Sequence, residues 1–228
     1  MIIGGFQKMS MVDFPEKIAC TVFTYGCNFR CPFCHNAGLV TQEVSQIPLC
    51  EILSYLDKRK GILDGVCISG GEPLIQEGSF ELMEEIKSRG LSVKLDTNGY
   101  LPEKLEKAIE LGLVDYVAMD IKNSKEKYAK TVGLDRIDIS KIEKSVSLLL
   151  QGRVEYEFRT TAVKELHSAE DFKSIGEWIK GAERYYIQAF VDSGNIIGSG
   201  LSCPDITELN AFKDAVSPYV GAVELRGV

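Results

Sequence analysis

Thr24-Tyr-Gly-Cys27-Asn-Phe-Arg-Cys31-Pro-Phe-Cys34-His-Asn36 places three cysteines within eight residues, spaced C-x3-C-x2-C. So short a span lets one loop wrap a single inorganic centre. Thiolates suit iron–sulfur clusters and zinc, and a cubane cluster ordinarily takes four cysteine ligands. The loop offers three. One iron would keep an open position, as the metal of a catalytic zinc site does. Gly26 allows a sharp entry to the loop, and Pro32 stiffens its second spacer. A disulfide framework fits poorly, because the seven cysteines are an odd count in a chain of 228 residues with no secretory start. Structural zinc held by Cys27, Cys31, Cys34 and His35 is the other alternative. It would require adjacent Cys34 and His35 to reach one tetrahedral ion from opposite sides of an extended chain.

Outward from the loop, strand and helix periods alternate. Residues 2–16 read as a hairpin or extended segment around Gly4-Gly5 and Asp13-Phe14-Pro15, and residues 19–24 as a buried strand that delivers the cysteine loop. Leu49, Ile52, Leu53 and Leu56 follow i, i+3, i+4, i+7 behind Pro48, which predicts an amphipathic helix ending near Gly61. Further strands are expected at 64–69, 91–96, 115–121, 154–161 and 183–190, with a short last one at 222–225. Helices lie between them. Ser140-x-x-Glu143, Ser168-x-x-Asp171 and Asp205-x-x-Glu208 each read as a capping box opening a helix. Six strand–helix units from residue 19 onward argue for a parallel sheet with right-handed crossovers. No linker, charge block or repeat divides the chain. The expectation is therefore a single domain over 1–228, with 1–18 as an N-terminal extension. The pattern leaves open whether the sheet is doubly wound or curled into a barrel.

The composition, 45% hydrophobic and 26% charged, is that of an ordinary globular protein. A net charge of −7 argues against nucleic acid as a partner, since phosphate-tracking surfaces need clustered Lys and Arg. No apolar run approaches membrane-spanning length, and no signal peptide is read at the start. Unpaired cysteines without an export signal point to a reducing cytoplasm. Cys20, Cys50, Cys67 and Cys203 lack ligand spacing and are expected to be buried. His167 is expected at the surface, and Trp178 is read as packing.

In parallel β/α architectures the chemistry sits where strands end. One strand ends in Ser69-Gly70-Gly71-Glu72-Pro73, where paired glycines let a ligand approach the backbone and a carboxylate can accept from an ammonium. Another ends in Asp96-Thr97-Asn98-Gly99, either an Asn-Gly turn or a ligand contact. Period two puts Asp120 and Lys122 on one face of their strand. It likewise groups Glu155, Glu157, Arg159 and Thr161, and then Tyr186, Gln188 and Phe190. Charges on an inward face survive only when paired or used.

The cysteine spacing, with Phe33 just before the last cysteine, resembles the signature of the radical S-adenosylmethionine (SAM) enzymes. That resemblance decides the fold between the two options: an α/β partial barrel of six β/α units. It implies one 4Fe-4S cluster on Cys27, Cys31 and Cys34, with the open iron chelated by SAM. An electron from the cluster then cleaves the sulfonium to a 5′-deoxyadenosyl radical. The closer resemblance is to the activating proteins of anaerobic ribonucleoside-triphosphate reductase, and more broadly to glycyl-radical enzyme activating enzymes. Gly4-Gly-Phe-Gln-Lys8, Asp13-Phe-Pro15, the Cys-His-Asn triplet at 34–36, Ser69-Gly-Gly-Glu-Pro73, Asp96-Thr-Asn-Gly99, Met119-Asp-Ile-Lys122 and Arg159-Thr-Thr161 carry it. It departs at Glu16 and at Ala37-Gly38, where relatives often have glycine and Pro-Glu. It implies cofactor contacts at Phe33, Gly70, Gly71, Glu72, Asn98, Asp120, Lys122, Arg159 and Gln188, with Lys122 catalytic beside the cluster cysteines. The implied partners are a glycyl-radical enzyme and an electron donor such as flavodoxin or ferredoxin. Two other classes stay open: a radical SAM enzyme acting on a small molecule, similar to 7-carboxy-7-deazaguanine synthase, and a non-catalytic iron–sulfur electron carrier.

Overall fold

The computed structural model describes residues 1–41 and 44–228. Its elements in chain order are β1 (Ile3–Ser10), β2 (Ala19–Thr24), α1 (Ala37–Thr41), α2 (Leu49–Lys58), β3 (Gly65–Gly70), α3 (Ser79–Ser88), β4 (Ser92–Thr97), α4 (Pro102–Glu110), β5 (Tyr116–Asp120), α5 (Tyr128–Thr131), α6 (Ile139–Leu149), β6 (Glu155–Ala162), α7 (Ala169–Trp178), β7 (Arg184–Ala189), α8 (Ile206–Val216) and β8 (Ala222–Arg226). A 3-10 turn, Pro73–Ile75, follows β3. Six β/α units and a last strand are what the alternating periods predict.

The chain forms two compact units. One comprises residues 1–28, 38–118 and 153–155, and the other 29–37, 119–152 and 156–228. In the first, β1 runs antiparallel to β2, pairing Phe6 with Val22, so the N-terminal segment is an added edge strand. β2, β3 and β4 run parallel, with Cys20 opposite Val66 and Val66 opposite Val93. The start of β5 follows, where Asp115 N donates to Val93 O at 2.8 Å. Val22, Val66, Ile68, Val93 and Leu95 are buried on these strands, and Ile52, Leu56, Met83, Ile86 and Leu105 are buried from the helices. Of the apolar stripe predicted for α2, Ile52 and Leu56 form its fully buried part.

In the second unit the end of β5 meets β6 through Ile121 N to Arg159 O at 2.8 Å. β6, β7 and β8 are parallel, with Arg159 opposite Tyr186 and Tyr186 opposite Glu224. Phe172 of α7 stacks on Phe212 of α8 with ring centroids 4.5 Å apart. Trp178 meets Tyr128 edge-on, which is the packing role expected of it. The boxes at Ser168/Asp171 and Asp205/Glu208 form as read. The one at Ser140/Glu143 does not. Asp138 is the cap, accepting from Ser140 N, and the helix starts two residues earlier. Both side chains can cap, and the start at Ile139 brings Ile142, Val146 and Leu149 to the buried side.

Two cysteine expectations are overturned. Cys20 and Cys67 are buried on central strands, but Cys50 and Cys203 are exposed. Cys50 sits two residues from Ile52, about 200° round the helix from the buried face. Cys203 lies in the loop between β7 and α8, outside any strand or helix.

Candidate functional site

The cysteine loop enters from the first unit and passes to the second between Asn28 and Phe29. Its entry is fixed by backbone contacts. Gly26 has φ +79°, which only glycine adopts without strain. Gly26 N donates to Leu39 O at 2.9 Å, and Gly26 O accepts from Glu72 N at 2.9 Å. A Cβ on Gly71 would stand 1.7 Å from Gly26 O. Gly71 therefore makes room for the chain's own cysteine loop, and Gly70 for the backbone of Thr24.

Glu72 is wholly buried. Its Oε1 accepts from Leu74 N at 3.1 Å and Thr97 Oγ1 at 2.9 Å, and its Oε2 accepts from Asn98 N at 2.7 Å. The carboxylate thus ties the end of β3 to the end of β4. Asn98 is held in turn. Its Oδ1 accepts from Tyr100 N, and its Nδ2 donates to Asn28 Oδ1 at 2.8 Å and lies 3.8 Å from Cys27 Sγ. Asn98 makes the turn and also faces the first cysteine. Lys94 and Asp96 form a buried ion pair on the same strand, and Asp96 also accepts from Ser69 Oγ at 3.0 Å. Period two puts both on one face of β4.

In the second unit Cys31 and Phe33 are buried, Cys34 is partly exposed and His35 is exposed. Arg30 N donates to Val132 O at 2.9 Å, which ties the loop to the end of α5. The His35 ring lies against Phe190, with centroids 5.7 Å apart. Lys122 Nζ stands 5.9 Å from the Phe33 ring centroid and donates to Asp120 Oδ2 at 2.9 Å. Arg159 Nε donates to Asp120 Oδ1 at 3.0 Å. Burial would lower the Lys122 pKa, but Asp120 and Cys31 outweigh it and hold the ammonium firmly charged. Burial raises the neighbouring Tyr128 phenol. Gln188 lies on β7 in register with Thr161 on one side and Arg226 on the other.

His167 is the clearest correction. It is 6% exposed, where a surface position was expected. Its Nδ1 accepts from Val163 N at 3.1 Å, and its Nε2 donates to Lys122 O at 2.9 Å, an arrangement that suits the neutral ring. Burial lowers its pKa below the ordinary value, against its two backbone contacts and Asp171, while Lys127 adds to the lowering. The folded chain thus favours neutral His167, and unfolding takes up a proton once the pH falls below the ordinary value of about 6.5. Stability from this residue is present above that value and is lost as pH falls from there to the lowered folded value. Resistance to urea is expected to weaken as pH falls below about 6.5, with a slope contribution of up to about 1.4 kcal/mol per unit, and to weaken less in His167→Gln. Equal pH dependence in both proteins would remove the effect.

Three thiols from one short loop are the soft donor set that an iron–sulfur cluster takes. Beside the first of them, Asn28 Nδ2 is buried without a hydrogen-bond partner. An amide N–H left over next to a thiolate ligand matches a cluster sulfur as acceptor. The residues fit the group on these two observations. Among the described residues, no three His, Cys, Asp or Glu side chains form a ready-made group for a single metal ion. No helix among them is long and apolar enough to cross a membrane.

The family model described as the Radical SAM superfamily matches residues 21–178. The chain belongs to that superfamily, whose enzymes use a 4Fe-4S cluster and SAM, and its α/β fold of mostly parallel strands agrees with it. Over 233 aligned residues it is 33% identical to a Methanocaldococcus jannaschii protein provisionally named a glycyl-radical enzyme activating enzyme, covering 100% of this chain and 96% of that one. Within the superfamily it therefore falls in the family of glycyl-radical enzyme activating enzymes. The pyruvate formate-lyase-activating enzyme of Clostridium pasteurianum is 32% identical over 53% of this chain and 52% of its own length. Among solved structures, a domain of the pyruvate-formate lyase-activating enzyme from Bacteroides vulgatus covers 72% of this chain and 99% of that domain, at TM-score 0.58 and 16% identity. Streptococcus suis SuiB bound to its precursor peptide covers 91% of this chain and 48% of SuiB, at TM-score 0.70 and 15% identity. These two show a shared fold.

Proposed function

We propose that this protein activates a glycyl-radical enzyme by removing hydrogen from a backbone glycine of that partner, with anaerobic ribonucleoside-triphosphate reductase as the first candidate. The end-to-end likeness to an activating enzyme, on a chain that keeps the three-cysteine loop, carries the reading. Cys27, Cys31 and Cys34 would hold the cluster. When bound, the cluster and SAM supply one-electron cleavage of the sulfonium and the hydrogen-abstracting group.

The chain's own residues do the positioning. Gly70, Gly71, Glu72 and Asn98 form the segment offered to the amino end of the cofactor, with Glu72 fixing Asn98 through its backbone N–H. Lys122 presents a held ammonium to the cofactor carboxylate, and Asp120 and Arg159 set its direction. Phe33 covers the Lys122 side chain and Gln188 adds an amide on the next strand. We read all 228 residues as one catalytic domain with 1–18 as its extension, working in the cytoplasm with flavodoxin or ferredoxin as electron donor.

The test is anaerobic incubation of the reconstituted protein with SAM, a reductant and the candidate reductase, read by electron paramagnetic resonance. A glycyl signal on the partner, formed with one 5′-deoxyadenosine per radical, is the expected outcome. Deoxyadenosine formed with a small molecule and no partner protein would replace this reading with the small-molecule one.

A further inference from the structure

A chain of alternating charges runs from the C-terminal strand to Lys122 within the second unit. Arg226, the last residue of β8, grips Glu157 of β6 with both terminal nitrogens, at 2.9 and 3.1 Å. The same guanidinium lies over the ring of Tyr186 on the intervening strand, 3.3 Å from its centroid, which fixes the plane of the fork. Glu157 is only 1% exposed, so its carboxylate needs a cation. Arg159, two residues on, stands 4.0 Å from Glu157 on one side and 3.0 Å from Asp120 on the other. Asp120 in turn holds Lys122 at 2.9 Å. The order is Arg226, Glu157, Arg159, Asp120, Lys122.

Arg159 is therefore shared between two carboxylates, and its closer partner is Asp120. We propose that Arg226 is a positioning residue for SAM. By neutralising Glu157 it leaves Arg159 on Asp120, and Asp120 divided between two cations leaves the Lys122 ammonium available to an anionic ligand group. The proposal rests on the reading that Lys122 meets the cofactor carboxylate. Without Arg226, the buried Glu157 draws Arg159 toward itself. Asp120 then leans more on Lys122 and competes with the ligand for it. Arg226 touches neither cofactor nor reacting atoms in this scheme. Its effect passes through two carboxylates and one guanidinium.

The measurement is equilibrium binding of SAM to anaerobically reconstituted protein, with iron content determined on each sample. The set is wild type, Arg226→Met, Glu157→Gln and the double variant. Stranding a buried charge by removing its partner is the costly change, whereas removing both is mild. Arg226→Met is expected to keep its iron and bind SAM roughly tenfold more weakly. Glu157→Gln should stay within about twofold of wild type, and the double variant should recover to within about threefold. Wild-type binding by Arg226→Met would overturn the inference. So would a double variant as weak as Arg226→Met, which would mean that Arg226 merely holds β8 in place. If Arg226→Met fails to fold, a double variant that folds and binds normally supports the same charge argument, and one that also fails refutes it. A wild-type protein that holds its cluster but binds no SAM would instead bring down the functional reading itself, and this inference with it.

Discussion

Replacing Cys27, Cys31 and Cys34 together with alanine is expected to abolish iron binding, from about four irons per reconstituted chain to none. Each cysteine donates from a loop whose backbone is anchored elsewhere, at Gly26 by Leu39 and Glu72 and at Arg30 by Val132. Those anchors do not involve the thiols. The variant should therefore fold, and its melting temperature without iron should match that of the iron-free wild type. Single replacements are expected to be nearly as damaging. A cluster already one cysteine short of four has no ligand to spare, and the exposed thiols at Cys50 and Cys203 are not on this loop. Iron and sulfide analysis after anaerobic reconstitution decides the matter. Full iron retention in the triple variant would sink the assignment. So would stoichiometric zinc without iron in the wild type, although the ring contact of His35 with Phe190 already gives that side chain another role.

The features that the sequence made legible are those written in local order. Three cysteines in eight residues need no fold to be seen. The β/α alternation follows from periods of two and 3.6, and each strand is flanked by the turn and cap residues that end it. Period two suggested that Asp120 and Lys122 share a side, although β5 ends at Asp120 and Lys122 lies two residues beyond it. What escaped depends on partners distant in sequence or on main-chain groups. His167 is buried by an amide at Val163 and a carbonyl at Lys122, and backbone partners leave no mark on side-chain pattern. Glu157 was placed on the right face, but the residue that neutralises it lies 69 positions away. The Gly70-Gly71 pair was recognised for its freedom and credited to a ligand. The backbone also packed against the pair is Thr24 at Gly70 and Gly26 at Gly71, contacts that exist only once β2 and β3 are paired. Cys50 could have been placed correctly, because the stripe of Ile52 and Leu56 already puts it on the polar side of α2.

Asp120→Ala and Lys122→Met are expected to keep the cluster and lose cofactor positioning. Neither side chain is a soft ligand, so iron content should stay at the wild-type level in both. Their contributions differ. Lys122→Met removes the ammonium proposed to meet the cofactor carboxylate, and Asp120 still has Arg159 at 3.0 Å. Asp120→Ala is the harsher change. It leaves Lys122 Nζ and Arg159 Nε, both within 3.0 Å of the same lost carboxylate, as neighbouring cations, with Glu157 4.0 Å from Arg159 on its other side. Both are partly buried, at 16% and 12% exposure, so water relieves little of that repulsion. A lost charge-assisted contact costs about 1.5–3 kcal/mol, which corresponds to roughly tenfold to over a hundredfold in a rate. The repulsion between the two cations in Asp120→Ala adds to that. Iron content and 5′-deoxyadenosine formation are to be measured on the same preparations. Normal iron with deoxyadenosine formation reduced at least about tenfold, and reduced more in Asp120→Ala, is the expected pattern. Wild-type rates in both variants would make the pair a structural brace at the end of β5. Loss of iron in either would move it from cofactor positioning to support of the cysteine loop, through the Lys122 contact with Phe33.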